Sequence, residues 1–369
     1  MNELAKWPLV SIIILNYNGS MYLANCLGSV LKSSYDPFEI VLVDNASTDD
    51  SISIVKELFK DDRIVIIRNS SNMGFAEGNN VGAEYVRGDY LVFLNNDTKV
   101  EPRWLEELVK VMESDPKIGA AQSKLLMLNH DGRIIDSTGD FVDFYGVAIQ
   151  RDLGEEDVGQ HENVEEVFSA RGASMIVRHN VLKQVGGFDP DFVLGCEDID
   201  LCWRIRLRGY KVVYVPWSVV FHRGHGTSSC LRKIRRDPIP LLLIKNYDAF
   251  NLLLYLFPYS VFTCGAFILD IFLRRNLFLA LGRFNAIRWA IFNLRSILVK
   301  RYVVQRVIRR VPDSRVKRMM LQSNLALYTR FVVDAHHAMP IPVRLEKLYK
   351  WYFSKTDPYK CKIKQRDWR

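Results

Sequence analysis

Four short apolar runs alternate with segments of helical periodicity in the first 115 residues. The runs lie at residues 9–15, 39–43, 63–67 and 90–94. The helices are predicted at residues 20–32, 50–60, 76–87 and 101–114, with Pro102 in the first turn of the last one. Because such runs are typical of strands buried on both faces of a sheet, this alternation predicts βαβ units and a parallel sheet.

The pattern becomes less regular after residue 115, and the composition changes near residues 226–240. Further strands are predicted at residues 118–126, 134–150, 167–177 and 211–215, and a helix at residues 197–208. Together with the first half, they predict an α/β fold with a mixed, mainly parallel sheet flanked by helices. We therefore place an α/β domain at residues 1–228 and a basic, mostly helical region at residues 229–369.

The net charge of +8 is distributed unevenly between these regions. Residues 1–220 hold 21 Lys and Arg against 34 Asp and Glu, a net charge of −13, whereas residues 221–369 carry +21. A basic region of this kind suits either nucleic acid or an anionic membrane surface. The sequence lacks zinc-finger spacing and RNA-binding aromatic signatures, and its basic half is rich in Leu, Ile, Phe and Trp. We therefore expect a membrane partner and no nucleic acid.

The C-terminal region also contains a long apolar segment. Residues 252–269 contain no charged side chain, and their length is close to the lower limit for a helix that spans a membrane. However, Pro258 interrupts this segment and Asp270 follows it at once. Residues 274–318 then carry 13 Lys and Arg against one acidic residue, Asp313. This mixture favours helices that lie in the membrane interface. The alternatives are a helical subdomain packed on the first domain, including a homodimer interface, and a spanning segment.

The N-terminal apolar run lacks a basic flank and a small-residue cleavage site, so we interpret it as a strand and not as a signal peptide. The six cysteines are scattered without CxxC pairs, which fits free thiols in a reducing compartment. We therefore expect a peripheral protein at the cytoplasmic face of a membrane, held there by interfacial helices.

Polar residues follow three of the predicted parallel strands at the point where each strand ends. Asn16 and Asn18 follow the first strand, Asp44 and Asn45 the second, and residues 95–97 (Asn-Asn-Asp) the fourth. Each motif alone is explained by turn and capping chemistry, which favours Asn, Asp and Ser. In open parallel sheets, however, ligands bind beyond the carboxyl ends of the strands, so we expect these residues to form one site.

Phosphate-binding glycine motifs give a weaker signal. The sequence contains neither GxGxxG nor GxxxxGK[ST], which argues against a dinucleotide-binding fold and a P-loop enzyme. Residues 72–80 (NMGFAEGNN) form a glycine-containing turn into a helix, and the amides of such a turn can face a phosphate.

Six motifs occur in an order that resembles the family 2 glycosyltransferases with the GT-A fold, and most closely their bacterial rhamnosyltransferase-like branch. They are SIIILNYNG, VDNASTDDS, NMGFAEGNN, FLNNDTKV, GGFDPDF and CEDIDLCWRIRLRGY, within residues 8–228. The resemblance implies transfer of a sugar from a nucleotide-diphosphate donor, a UDP- or dTDP-sugar, to a hydroxyl of a glycan or lipid-linked acceptor. It further implies a role in cell-surface polysaccharide or glycolipid assembly.

The resemblance also assigns donor-binding residues. Asp44 corresponds to the carboxylate that recognises the donor base, and Asn16 and Asn18 correspond to the cradle for base and ribose. The other residues predicted to bind the donor are Asn45, Gly74, Asn79, Asn95, Asn96 and Arg204, the last by pairing with the diphosphate.

A divalent metal, Mg²⁺ or Mn²⁺, is implied as cofactor. Residues 95–97 correspond to the family's DxD motif, in which the last residue, Asp97, binds the metal. Asn95 departs from that motif, because an amide brings no charge. His222 corresponds to a downstream metal-ligating histidine, and His225 is a nearby competitor. A cation held by carboxylate and phosphate oxygens neutralises the charge that grows on the leaving diphosphate.

The mechanism that the resemblance implies needs one carboxylate to take the proton of the acceptor hydroxyl. Asp198 corresponds to that base. With one base and no second nucleophile, a single displacement inverts the anomeric carbon. The alternative role for Asp198 is that of a helix N-cap, because residues 197–200 open a helix. Both roles hold together if Glu197 or Asp200 caps while Asp198 faces the acceptor. The residues predicted to line the acceptor are Gly172, Ala173 and Glu197.

Two other functions are considered beside the transferase. A sugar-nucleotide nucleotidyltransferase usually carries a Gly-rich, basic loop after strand one, but NYNGSMYLANC contains no Arg or Lys. A non-catalytic, membrane-attached scaffold would be favoured by loss of Asp97 and Asp198, and both are present.

Overall fold

The computed structural model describes residues 7–130, 132–192, 195–224, 238–272 and 277–322. The strands are β1 (Val10–Asn16), β2 (Phe38–Asp44), β3 (Ile64–Arg68), β4 (Tyr90–Asn95), β5 (Thr98–Val100), β6 (Ile118–Met127), β7 (Ile135–Ser137), β8 (Asp140–Val142), β9 (Ala148–Gln150), β10 (Glu165–Glu166), β11 (Ser174–Arg178) and β12 (Lys211–His222). The helices are α1 (Leu23–Val30), α2 (Ser51–Leu58), α3 (Gly74–Ala83), α4 (Trp104–Ser114), α5 (His179–Val185), α6 (Glu197–Arg208), α7 (Ile239–Asn246), α8 (Ala249–Phe272), α9 (Leu277–Phe292), α10 (Leu294–Tyr302) and α11 (Asp313–Val316).

One large sheet organises the first 224 residues. Its described strands follow the order β10-β12-β6-β11-β4-β1-β2-β3, with β5 paired to β12 and β7 paired to β6. The ladders that join β1 to β2 and β4, β2 to β3, and β6 to β12 are parallel, whereas β11 runs antiparallel between β4 and β6. The predicted mixed, mainly parallel sheet flanked by helices is therefore confirmed.

Alternate side chains of the central strands point into two hydrophobic cores, one on each face of the sheet. Ile12 and Ile14 of β1 pack into the core that α1, α2 and α4 cover. Ile13 points into the opposite core, which is covered by α3, α5 and α6. The continuous apolar runs are thus explained by burial on both faces.

The helices that follow residue 238 extend the second of these cores. Leu242 of α7, Ile297 of α10 and Met320 near the end of the described chain are buried in the same cluster as Trp203 of α6. The C-terminal region is therefore helical where it is described, and it packs directly on the α/β part. The predicted domain boundary at residues 228–229 lies outside the described residues.

Helix α8 has one face on the protein and one face that is exposed. Tyr255 and Tyr259 are buried against the core, whereas Phe250, Leu253 and Phe257 are each more than 70% exposed. Within the part of the chain that the structure describes, Ala249–Ile268 is the segment long and apolar enough to cross a membrane by length and composition.

Several element boundaries differ from the predicted ones for local reasons. Pro102 lies before α4, which begins at Trp104, and not in its first turn. The strand predicted at residues 134–150 is divided into β7, β8 and β9, because Gly139 and Gly146 adopt positive φ values of 116° and 79°. Strand β12 continues past residue 215 to His222 through an irregularity between Val215 and Val219, because β5 pairs with its far end.

Candidate active site

The carboxyl ends of three parallel strands meet at one edge of the sheet. Asn16 at the end of β1 is in register with Asp44 at the end of β2, and Leu15 is in register with Asn95 at the end of β4. The expectation that these strand ends come together is therefore confirmed.

Asn16 and Asn96 connect the loops that follow these strands. The side chain of Asn96 donates to Oδ1 of Asn16 at 2.8 Å, and Nδ2 of Asn16 donates to the hydroxyl of Ser51 at 2.9 Å. Both asparagines are buried. A Cβ atom at position 19 would lie 2.3 Å from each of the two amides, so Gly19 is required for this contact. These amides shape the edge of the site, and their direct contact with a donor stays a prediction.

Asp44 is fully buried at the end of β2. Its Oδ1 accepts from the backbone N–H of Ser47 at 3.2 Å, and its Oδ2 pairs with Nε of Arg68 at 3.0 Å. The Arg68 side chain is 61% exposed. A donor base would therefore reach the carboxylate only if Arg68 moved aside. The sequence analysis missed Arg68, which carries no motif and stands at the end of the third strand.

Two of the other predicted donor residues, Asn45 and Asn18, hold the surrounding loops. Asn45 is bonded to the side chains of Asn69 and Asn72, to the N–H of Met73 and to the carbonyl of Gly74. The side-chain oxygen of Asn18 accepts from the N–H of Thr48 at 2.8 Å.

Helix α3 carries the two remaining predicted donor residues of this edge. Gly74 opens the helix with φ of +78°, and nothing lies within 4 Å of a Cβ added there. Asn79 is buried and donates to the carbonyl of Phe75 at 2.9 Å. The structure therefore places the glycine, but not the Asn79 amide, where a ligand could approach the start of α3.

Arg204 does not lie at this edge, and its predicted contact with a diphosphate is wrong for this structure. The side chain is 3% exposed. Its Nε bonds to Asp200 at 2.9 Å, and its terminal nitrogens bond to the carbonyls of Val185 and Gly187. A buried guanidinium whose N–H groups are used in this way is not available to a ligand.

The predicted metal ligands Asp97 and His222 face one another. Oδ1 of Asp97 lies 3.3 Å from Nε2 of His222, because β12 pairs with β5 and sets His222 opposite Thr98. The amide of Asn95 lies 3.3 Å from the same nitrogen. Nδ1 of His222 bonds to Oδ2 of Asp136 at 2.8 Å. The competitor His225 lies outside the described residues.

These residues fit a divalent cation. At metal–ligand distances of 2.0–2.2 Å, two ligand atoms at right angles around a cation lie about 3 Å apart. The separation between Oδ1 of Asp97 and Nε2 of His222 is 3.3 Å, which is close to that value. Among the described residues, no cluster of three His, Cys, Asp or Glu side chains forms a complete cage. Mg²⁺ is commonly bound by one or two carboxylates together with substrate phosphates and water, and Asp97 offers one carboxylate here.

The charges around His222 stabilise its protonated form. Burial alone lowers the pKa of the imidazole, but Asp136 and Asp97 together raise that pKa to about 9. A cation at Nε2 would take the place of this proton, with Asp136 still bonded to Nδ1. The sequence analysis missed Asp136, because nothing in the local pattern of β7 distinguishes it.

Asp198 stands in the first turn of α6, beside the segment that precedes β11. Its Oδ2 accepts from the N–H of Gly172 at 3.3 Å, and its Oδ1 from the N–H of Ile199 at 2.9 Å. The next residue of that segment, Ala173, accepts a backbone bond from Asn95 at 3.1 Å. Residues 172–173 thus connect the predicted base to the predicted metal-binding strand end.

The capping role considered for this turn is wrong. The residue before α6, Cys196, has a positive φ of 70°, and the helix start has no side-chain capping bond. Asp200 instead bonds to Arg204, Lys245 and Asn246. Asp198 is therefore not the N-cap residue; its Oδ1 accepts from the N–H of Ile199 within the first turn, and its side chain is partly exposed.

Glu197 has a carboxylate environment unlike that of its neighbour. Its Oε2 is buried with no hydrogen-bond partner within the described structure. Burial, and second to it the charge of Asp198, raise the pKa of Glu197 to about 8. Arg171, which precedes Gly172, is the nearby cation, and its charge opposes this rise.

Two sequence profiles match the chain. The one described as glycosyl transferase family 2 matches residues 11–155, and the one described as glycosyl transferase family group 2 matches residues 90–333.

Similar proteins are found among curated sequences. A glycosyltransferase of Haemophilus influenzae, itself uncharacterised, is 34% identical over 257 residues, which are 64% of this chain and 75% of that protein. The O-antigen biosynthesis protein RfbC of Myxococcus xanthus is 32% identical over 243 residues, which are 63% of this chain but 18% of RfbC. The chain thus spans a small part of the length of that relative.

A solved structure shares the fold. The crystal structure of GalNAc-T7 with UDP, GalNAc and Mn²⁺ matches with a TM-score of 0.50 at 19% sequence identity, over 59% of this chain and 44% of that one. At this identity the likeness concerns the fold alone, and it supports the predicted GT-A architecture.

Proposed function

The chain belongs to glycosyl transferase family 2, and we propose that it is an inverting, metal-dependent enzyme. In this proposal it moves a sugar from a nucleotide-diphosphate donor to a hydroxyl group of its acceptor. The observation that carries the proposal is the placement of Asp97, His222 and Asp198 around one edge of the sheet. Residues 172–173 join the two parts, with bonds to Asp198 on one side and to Asn95 on the other.

The residues divide the reaction between two sides of the site. Asp97 and His222 would hold a divalent metal, which would neutralise negative charge on the leaving diphosphate. The loops held by Asn16, Asn45 and Asn96 form the cradle for the nucleotide. Asp198 accepts the proton of the acceptor hydroxyl as that oxygen attacks the anomeric carbon. Because a single displacement involves no covalent sugar–enzyme intermediate, the anomeric configuration inverts.

Glu197 supports this division of roles. Its raised pKa keeps it protonated at neutral pH, so it can donate a hydrogen bond to the acceptor while Asp198 accepts a proton. Gly172 lies directly beside Asp198, because its N–H donates to Oδ2 of that carboxylate at 3.3 Å. This contact supports the assignment of Gly172 to the acceptor side, whereas the Ala173 side chain is buried in the core on the other face of the sheet and its assignment stays a prediction.

The donor and acceptor classes follow from the relatives by analogy. GalNAc-T7 was solved with UDP, which supports a UDP-sugar here, and a dTDP-sugar remains an alternative. RfbC takes part in O-antigen biosynthesis, which supports a glycan or lipid-linked acceptor in cell-surface polysaccharide assembly. Membership of the rhamnosyltransferase-like branch also belongs to this proposal.

We further propose that the enzyme works peripherally at the cytoplasmic face of the membrane. The exposed apolar side chains of α8 continue on α9 and α10, where Ile291, Phe292 and Leu298 are at least half-exposed. Arg288 of α9 and Arg295 of α10, which are also exposed, lie close to these apolar residues in the sequence. A helix that packs one face on the protein and leaves the other apolar favours the interface over a span.

A thermal-shift panel tests the donor side of the proposal. UDP-, dTDP- and GDP-sugars are added with and without Mn²⁺, and the cognate donor should raise the melting temperature only when the metal is present. Product analysis then separates the alternatives. Release of the nucleoside diphosphate from the cognate donor supports a transferase, and binding of none of these nucleotide-sugars indicates a scaffold. Release of pyrophosphate when the protein is given a nucleoside triphosphate and a sugar 1-phosphate instead indicates a nucleotidyltransferase.

A further inference from the structure

Six charged side chains from both parts of the chain meet in one network beneath α6. Three are acidic and three are basic: Asp189, Asp191, Asp200, Arg204, Lys245 and Lys300. The acidic residues and Arg204 come from the α/β part, whereas the two lysines come from the C-terminal helices α7 and α10.

Lys245 of α7 lies at the centre of the network. Its ammonium group bonds to Oδ2 of Asp200 at 3.0 Å and also pairs with Asp189. Lys245 and Asp200 are at most 2% exposed. The neighbouring Asn246 donates to Oδ1 of Asp200 at 2.9 Å, so α7 contacts both oxygens of this carboxylate.

Lys300 of α10 holds the outer side of the network. Its ammonium group lies 2.5 Å from Oδ1 of Asp189 and 2.5 Å from Oδ2 of Asp191. Burial by itself raises the pKa of Asp189, but the two lysines lower that pKa to about 2. The pairing is therefore strong enough to keep a largely buried carboxylate ionised.

The network fixes two segments next to the predicted base. Asp200 stands two residues after Asp198 in the first turn of α6, and Arg204 links Asp200 to the carbonyl of Gly187 at 2.7 Å. Asp189 follows in the same segment, whose Phe188 N–H bonds to Asn80 of α3 at 2.9 Å. Removing one cation would leave a buried carboxylate uncompensated, which disfavours this arrangement.

We propose that Lys245 and Lys300 are positioning residues, through which the C-terminal helices hold the first turn of α6, and with it Asp198, in its place at the site. The inference rests on the proposed function only in taking Asp198 as the base. The C-terminal region is then part of the catalytic unit, in addition to its role at the membrane.

The test compares Lys300→Met, Lys300→Arg and Lys317→Met in the full chain. Lys300→Met removes the cation from the half-buried side of the network, where the variant is most readily tolerated. Lys300→Arg keeps the charge. Lys317 is the matched control, because it belongs to the same region but lies outside this network. Its ammonium group bonds to Asn251 at 2.8 Å and Tyr255 at 3.2 Å, both of α8, and lies over the ring of Phe144.

Two measurements are made on each variant. The first is kcat and the donor KM, and the second is amide hydrogen exchange in peptides covering residues 186–192 and 197–208. In Lys300→Met we expect kcat to fall about 10- to 100-fold with little change in donor KM, because small displacements of a reacting group are costly. Exchange in the two segments should be faster. Lys300→Arg should restore most of both, and Lys317→Met should match the wild-type.

Wild-type kcat and exchange in Lys300→Met would overturn the inference, and so would an equal loss in Lys317→Met. If Lys300→Met does not fold, Lys300→Gln replaces it, because the amide occupies similar space but carries no charge to pair with Asp189 and Asp191. Faster exchange in that variant supports the inference, and unchanged exchange refutes it. If the wild-type turns over none of the donors, the proposed function fails, and the exchange measurement still decides this inference.

Discussion

Nδ1 of His222 lies 2.8 Å from Oδ2 of Asp136, while Nε2 of the same ring lies 3.3 Å from Oδ1 of Asp97. A bond from Nδ1–H to Asp136 leaves Nε2 directed at the predicted metal ligand. Carboxylates that orient a metal-bound histidine in this way typically contribute substantially to metal affinity. Two distant strands, β7 and β12, and the turn between β4 and β5 supply the three side chains.

Replacement of Asp136 by alanine should weaken metal binding. We expect the affinity for Mn²⁺ in the presence of UDP to fall about 10- to 100-fold, because the imidazole loses its orientation and a neighbouring charge. Isothermal titration calorimetry measures this directly. Asp157→Ala is the control, since that carboxylate pairs with Lys124 on the far side of β6. Equal affinity in both variants would show that Asp136 does not act through His222.

Replacement of Asp97 by alanine should abolish turnover. The variant loses the carboxylate that faces Nε2 of His222, so the leaving diphosphate would lose its metal. Sugar transfer is measured with and without excess chelator, beside the control Asp115→Ala, whose carboxylate pairs with Lys211 at 2.8 Å. Full activity of the wild-type in chelator, or of Asp97→Ala, contradicts a metal-dependent reaction.

Replacement of Asp198 by asparagine should separate binding from chemistry. The amide keeps the shape but cannot take a proton, so transfer should fall by ~10²–10⁴-fold. Donor and metal binding, followed by thermal shift, should persist. The exposed Asp62 provides the control variant Asp62→Asn. If the folded Asp198→Asn protein loses less than about tenfold in transfer, another group is the base.

Glu197 should make stability depend on pH. Its pKa is about 8 in the folded state against an ordinary value of 4.5, because burial and then Asp198 raise it. The folded state therefore binds the extra proton, and stability is present below pH 4.5 and is lost as pH rises towards 8.

Glu197→Gln cannot ionise and should not lose this stability. The melting temperature of the variant relative to the wild-type should therefore be higher at pH 9 than at pH 5. Glu57→Gln, at an exposed position on α2, controls for the loss of an acidic group. A difference that is independent of pH would mean that Glu197 is ionised in the folded protein.

The exposed face of α8 should bind anionic membranes. The full chain should float with phosphatidylglycerol vesicles at low salt, and flotation should weaken at high salt, because each surface cation adds ~1 kcal/mol that salt screens. Leu253→Asp with Phe257→Asp should abolish flotation. Val158→Asp, which alters a similarly exposed apolar side chain elsewhere, should not. Failure to float at low salt would refute interfacial binding, and extraction by detergent alone would indicate a span.

The sequence by itself determined the sheet and the place of the site. Apolar runs that are buried on both faces cannot form anything but central strands, so β1, β2 and β4 follow within a residue or two of their predicted bounds. Because parallel strands end at the same edge, Asn16, Asp44 and Asn95 had to converge. The difference in net charge between the two halves likewise distinguished the basic C-terminal region from the α/β part by composition alone.

Only the tertiary structure decided which side chains act together. Asp136 and His222 are 86 residues apart, and Lys300 and Asp189 are 111 apart, so no local pattern connects them. Arg204 is a second example. The sequence correctly places it on α6, but the packing of α7 makes Arg204 part of a buried ion-pair network, so it is not directed at a ligand. Helical periodicity specifies that a face is buried, whereas the partner of a buried charge depends on which distant element packs against that face.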